Sequence, residues 1–134
     1  MIRFFSGLVA GLALAVLVWE AWFAGLELLT ADVSVASRLA EGTALGPQIV
    51  AVLLGGWLLA SFLGATMAAS VSGSRICGWL LGLIFAFGSS LTAALAAFPD
   101  LTVVFALATP VAGAWLGTRL ASLEMDLAGG DTSR

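Results

Sequence analysis

The chain has 134 residues, of which 61% are hydrophobic and 10% are charged, and its formal net charge is −3. A soluble domain carries about 25% charged residues, and one of this length could not bury so much apolar surface. The five basic residues are scattered arginines, which excludes the basic patch that nucleic-acid binding requires. The composition predicts a protein whose main partner is the lipid bilayer, with no nucleic-acid partner.

Two residue types limit the chemistry further. The chain has no histidine, which removes the commonest general base and the commonest zinc ligand. Cys77 is the single cysteine, and we expect an apolar role for it rather than acylation. No nucleophile has a base beside it, and no carboxylates are paired within an apolar segment. We therefore expect a protein that is not an enzyme and has no catalytic residues, cofactor or metal site.

Long uncharged stretches divide the chain into four apolar segments. Residues 42–74, 76–99 and 101–118 carry no charge, and the first segment is interrupted only by Glu20. A hydrocarbon core of about 30 Å needs about 20 apolar residues in a helix, and an open strand in lipid would leave backbone groups unpaired. The fold class predicted is an all-α integral membrane four-helix bundle, forming one domain over residues 1–123. The predicted spans are 4–26, 47–69, 76–97 and 101–123.

Turn-forming residues support these boundaries. Gly46-Pro47 is typical of a helix start, because proline lacks an N–H that would have no partner there. Residues 70–74 form a short polar turn, and Asp100 is the expected N-cap of the fourth span. We expect a disordered tail at 124–134.

The two remaining segments need separate interpretations. The 27–46 link could hold a short surface helix that begins at Ser34 and ends at Gly42. The apolar run after Arg3 is too long for a signal peptide and no Ala-x-Ala site follows it, so we expect a retained span.

The arginines predict an orientation. Cytoplasmic loops of membrane proteins collect basic residues. With both termini in the cytoplasm, four arginines are inside and only Arg38 is outside. The sequence therefore predicts an N-in/C-in protein.

Small residues recur at every fourth position of the spans. Such a row stays on one helix face and lets two backbones approach closely in lipid. Spans two and three are joined by a short turn, so we expect their rows to pack face to face as a glycine zipper. The predicted packing residues are Gly56, Ala60, Gly64 and Ala68 in span two, and Gly78, Gly82, Ala86 and Ser90 in span three.

Pro110 lies inside the fourth span and is expected to kink it near Ala106. Proline has no N–H, so the carbonyl of the residue four positions earlier loses its usual donor. Lipid-embedded helices tolerate proline well, so we interpret Pro110 as structural.

Glu20 is the acid that falls within a predicted span. An ionisable residue in a membrane is a functional candidate by default. Glu20 lies between Trp19 and Trp22, however, and tryptophan favours the interface with water. The two interpretations are an interfacial glutamate and a proton or cation site, for which Gln48 and Arg38 are the polar neighbours expected on the same side.

Two family comparisons follow from these residues. The Val18-Trp-Glu-Ala-Trp22 segment does not match the glutamate motif of the small multidrug resistance transporters. The Gly56-Trp-Leu-Leu-Ala-Ser-Phe-Leu-Gly-Ala65, Gly78-Trp-Leu-Leu-Gly82 and Pro110-Val-Ala-Gly-Ala-Trp-Leu-Gly-Thr-Arg-Leu-Ala121 segments resemble a group of small four-span bacterial membrane proteins of unknown function. That resemblance implies a fold and no activity.

Abundant packing surface with little chemistry favours an accessory or assembly partner of other membrane proteins, in a bacterial inner membrane. The alternative is a small transporter or channel built as a homo-oligomer around Glu20.

Overall fold

The residues that the structure describes form four long helices. A computed structural model describes residues 1–29, 46–96 and 98–129. The surface helix predicted between Ser34 and Gly42 lies outside these residues. The helices are α1 (Ile2–Leu29), α2 (Pro47–Ser72), α3 (Arg75–Leu95) and α4 (Asp100–Gly129).

All four helices are long and apolar enough to cross a membrane, with the candidate span of α4 ending at Glu124. The shortest, α3, has 21 residues, which at about 1.5 Å each span a hydrocarbon core of about 30 Å. The described residues contain no strand. The prediction of an all-α, multi-pass membrane four-helix bundle is confirmed.

The helix ends follow the turn-forming residues, but α2 continues through residues 70–72 of the predicted 70–74 turn, and two further differences concern Asp100 and the tail. Pro47 opens α2, and Gly73 ends it in the left-handed conformation at φ 66°, which glycine adopts without a Cβ clash. Asp100 lies in the first turn of α4 rather than at its N-cap, because the Pro99 carbonyl already accepts the Thr102 N–H. The prediction of a disordered tail is wrong for residues 124–129, since α4 continues through them.

The second helix, α2, lies at the centre of the bundle. It packs against the other three helices, whereas α3 packs mainly on α4 and touches α1 little. Successive helices run antiparallel. Near the start of α1, Gly7 contacts Ser72 at the end of α2, and the Phe4 carbonyl oxygen lies 3.5 Å from the Cys77 sulfur at the start of α3. Farther along α1, Trp22 contacts Gly56 in the first half of α2.

One end of the bundle therefore collects the start of α1, the α2–α3 turn and the last turns of α4. We call it the arginine end, because Arg3, Arg75 and Arg119 are the residues that define it. Its position on the cytoplasmic side stays a prediction.

The buried core is built mostly from small side chains. Ala15, Ala65, Ala68, Cys77 and Ala114 are completely buried around Leu81, which is itself fully enclosed. Larger apolar side chains cover the outside, where a bilayer would solvate them. Cys77 is accordingly an internal residue, in line with the apolar role expected for it.

Candidate functional site

The closest helix contact on the α1 side of the bundle is made by glycines of α1 and α2. A Cβ atom added at Gly11 would lie 2.6 Å from the Gly64 carbonyl oxygen and 2.6 Å from the Ala68 Cβ. One added at Gly64 would lie 2.7 Å from the Ala15 Cβ. These separations are far inside van der Waals contact, so the two backbones approach as closely as they do only because the side chains are hydrogen atoms.

The row on α3 meets α4 rather than the row on α2. A Cβ added at Gly78 would lie 2.5 Å from the Thr118 methyl carbon, and one added at Gly82 would overlap the Ala114 Cβ. Gly78 also lies near α2, but it faces Ala65 there, which is not in the predicted row. The predicted face-to-face seam between spans two and three is therefore wrong. The spacing identified faces that pack closely, and a short turn did not determine which faces meet.

A second face of α2 receives α4. Added Cβ atoms at Gly113 and Gly117 would overlap the Ser61 hydroxyl and the Phe62 carbonyl oxygen. The central helix thus carries two close-packing faces, one row beginning at Gly56 and a second around Ser61. The sequence signal for the second face was the Gly113-x-x-x-Gly117 spacing of α4.

The eight predicted packing residues lie in the bundle interior or at its edge. Ser90 is half-buried, and its hydroxyl donates to the Ala86 carbonyl oxygen at 2.6 Å within its own helix. The other seven, all buried, are Gly56, Ala60, Gly64, Ala68, Gly78, Gly82 and Ala86.

Gly56 accommodates an aromatic ring rather than a backbone. A Cβ added there would lie 2.5 Å from the Trp22 ring. The Trp22 indole N–H donates to the Val52 carbonyl oxygen at 2.9 Å. Trp19 stacks on Trp57 with ring centroids 5.5 Å apart and planes 17° apart. These contacts fasten the second half of α1 to α2, away from the arginine end.

Pro110 leaves an acceptor that a neighbouring helix satisfies. The Ser89 hydroxyl of α3 lies 2.6 Å from the Ala106 carbonyl oxygen, the group that Pro110 cannot reach with a donor. Ser89 is buried and also lies 3.1 Å from the Ala86 carbonyl oxygen. Thr109, next to Pro110, has a buried hydroxyl oxygen with no hydrogen-bond partner among the described residues.

Glu20 lies on the outer face of α1. It is exposed, and among the described residues it has no ion-pair or hydrogen-bond partner. It follows buried Ala15 by five residues and precedes Trp22 by two, which places it on the opposite side of the helix from both. Gln48, an expected neighbour, is also exposed, and Arg38 lies outside the described residues. The structure therefore does not bring Glu20 into the bundle interior.

A lateral cleft of about 300 Å³ opens between α1 and α3. The Trp19–Trp57 pair lies at one wall and Ser89 and Thr92 at the other. Their hydroxyls donate to backbone carbonyls, Thr92 to Gly88 at 2.9 Å. No residue that lines this cleft is ionisable, so its surface is aromatic and apolar with two occupied hydroxyls.

Within the described ranges no three His, Cys, Asp or Glu side chains are grouped to hold a metal ion. Comparisons with protein families, with curated proteins and with solved structures find no significant match to this chain.

Proposed function

We propose that the protein is a non-enzymatic accessory or assembly partner of another membrane protein in a bacterial inner membrane, and that the outer face of α1 is its contact surface. The observation that supports this proposal best is the position of Glu20. A carboxylate on the lipid-facing side of a span is costly unless water, a headgroup or a protein partner solvates it.

The depth of Glu20 adds to this argument. If the core begins near Phe4, about 20 residues bring its far boundary to Phe23, and Glu20 lies about 5 Å inside it at 1.5 Å per residue. A side chain at that depth can reach the interface, but it can equally accept hydrogen bonds from a helix beside it.

The surroundings of Glu20 suit a second helix. Ala13 lies seven residues before Glu20 and Ala24 lies four residues after it. These spacings place all three side chains on one face of α1, and both alanines are exposed. Small side chains beside a hydrogen-bonding group are the usual features of helix contacts in lipid. Of the α1 span, 17% is buried within the bundle, against 33–39% for the other three. The first helix therefore has the most surface left for a partner.

The bundle interior offers fewer groups that could bind a partner or a substrate than the outer face of α1 does. Among the described residues, the buried hydroxyl oxygen of Thr109 has no hydrogen-bond partner, and four other buried hydroxyls each donate to a backbone carbonyl. They belong to Ser61, Ser89, Thr118 and Ser122.

A photo-reactive cross-linker at Ala24, introduced into the protein in its native membrane, tests the proposal. We expect a cross-link to a different polypeptide, and we expect Glu20→Leu to abolish it. The same cross-linker at Leu91, an exposed position of α3, is the matched control and is expected to give no such product. Extraction as a lone chain without a cross-link from Ala24 would contradict the proposal.

The same position of Glu20 favours one alternative, a homo-oligomeric transporter or channel with Glu20 around its axis. In that case Ala24 cross-links to a second copy. Purified protein in liposomes would then carry a proton or cation flux that Glu20→Gln removes while expression stays intact. A heterologous cross-link without a flux excludes this alternative.

A further inference from the structure

Two arginine–tryptophan pairs lie side by side at the arginine end. On α3, Arg75 precedes Trp79 by four residues; on the antiparallel α4, Trp115 precedes Arg119 by four. A spacing of four keeps each pair on one helix face. Because the helices run in opposite directions, both arginines lie one turn nearer the membrane surface than the tryptophans.

The two pairs line one cavity of about 160 Å³, together with Thr118 and Ser122. The Arg119 guanidinium carbon lies 4.4 Å from the centre of the Trp115 ring, a cation–π contact between two residues that line the cavity. Neither guanidinium forms an ion pair with any residue that the structure describes. Two positive charges are therefore available to one anion.

An apolar groove continues from this cavity toward the membrane centre. It has a volume of about 610 Å³, and Trp79 and Trp115 line both compartments. Its remaining lining is aliphatic: Val104, Leu107, Ala108, Val111 and Ala112. From Trp115 to Val104 the helix advances about 16 Å at 1.5 Å per residue, close to one leaflet of a hydrocarbon core about 30 Å thick.

We propose that this surface is a binding site for one anionic phospholipid of the leaflet at the arginine end. The phosphate lies between Arg75 and Arg119, the two indoles lie at the level of the glycerol backbone, and one acyl chain occupies the groove. Charge complementarity selects an anionic headgroup, because basic pockets between membrane helices attract such lipids. The length and apolar lining of the groove select a lipid over a free phosphate.

Retention of lipid by the intact, detergent-solubilised protein tests the headgroup part. Native mass spectrometry after incubation with phosphatidylglycerol or phosphatidylcholine of the same chains measures the preference. We expect the anionic lipid to be favoured, and the preference to fall about fivefold for each arginine replaced in Arg75→Gln and Arg119→Gln, about 25-fold for both. Arg3→Gln, at the same end but outside the cavity, is the matched control and should keep the preference.

Quenching of tryptophan fluorescence by brominated acyl chains tests the groove. Ala108→Phe fills the groove at an exposed position and is expected to lower quenching by brominated phosphatidylglycerol severalfold. Ala94→Phe, at an exposed alanine of α3 that lines neither the cavity nor the groove, is the control. Inorganic phosphate at matched ionic strength is not expected to displace the lipid.

Three results would overturn the site. The first is an equal loss of preference in Arg3→Gln and in the double variant, which would mean that surface charge alone attracts the lipid. The second is full displacement by inorganic phosphate. The third is unchanged quenching in Ala108→Phe. All substituted side chains are exposed, and Arg75→Lys with Arg119→Lys keeps the charge and is expected to keep most of the preference, which separates lost binding from lost folding.

Discussion

At the scale of single residues, the pairing of Ser89 with Ala106 shows how the bundle accommodates Pro110. The sequence predicted that the Ala106 carbonyl loses its donor, because that follows from proline chemistry alone. It did not predict that Ser89 replaces the donor. Hydroxyls in helices usually bond their own backbone, and only the three-dimensional arrangement brings α3 within 2.6 Å of that carbonyl.

Ser89→Ala is therefore expected to destabilise the bundle by about 1 kcal/mol, because a buried carbonyl oxygen loses its partner. In a Pro110→Ala background the helix itself supplies the N–H, and the cost of Ser89→Ala should fall to a few tenths of a kcal/mol. Unfolding by denaturant in mixed micelles measures all four proteins. If Ser89→Ala lowers the free energy of unfolding equally with Pro110 present and in the Pro110→Ala background, the Ser89 hydroxyl does not replace the hydrogen-bond donor that the Ala106 carbonyl lacks.

At the scale of helices, the sequence predicted which faces pack closely but paired them incorrectly. A row of small residues indicates that another helix backbone approaches that face closely. It does not indicate which helix, because any helix with a complementary surface can pack there. The central helix has two such faces, so its predicted row meets α1 while α3 and α4 meet each other. The short turn between α2 and α3 was therefore not sufficient to predict which helix faces contact each other.

Two glycines of α3 separate packing from helix propensity. Gly82→Leu would force a side chain into Ala114, and we expect a loss of about 3 kcal/mol or no folded protein at all. Gly88 has no atom within 4 Å of an added Cβ, so Gly88→Leu should change stability by less than about 0.5 kcal/mol. Thermal aggregation in detergent compares the two variants.

Similar losses for Gly82→Leu and Gly88→Leu would show that the close approach of α3 and α4 is not what holds the helices together.

At the scale of the whole molecule, the positions and lengths of the uncharged apolar stretches predicted most of the fold. Four spans and their order follow from the apolar runs, and two of the three links between the spans are short turns that make their neighbours antiparallel. The cavity lined by the two arginine–tryptophan pairs could not be predicted from the sequence. Arg75 and Arg119 are 44 positions apart in the chain and line the same cavity only because α3 lies against α4. The outward direction of Glu20 likewise depends on which side of α1 receives α2.

The arginine distribution gives an orientation that a reporter can test. An enzyme that is active only outside the cytoplasm should be inactive when fused after Glu124 and active when fused after Pro99, since these points lie at opposite ends of α4. Reversed activities would place the arginine end outside. Activity at both points would indicate two insertion orientations.

The stacked indoles of Trp19 and Trp57 are also a pair of coupled chromophores. Two rings with centroids 5.5 Å apart share their electronic excitation, which splits their strong ultraviolet transition into two bands of opposite circular dichroism. This signal depends on α1 lying against α2 and not on the helix content of either. The protein therefore has an intrinsic optical probe that distinguishes helices inserted separately in a membrane from helices assembled into the bundle.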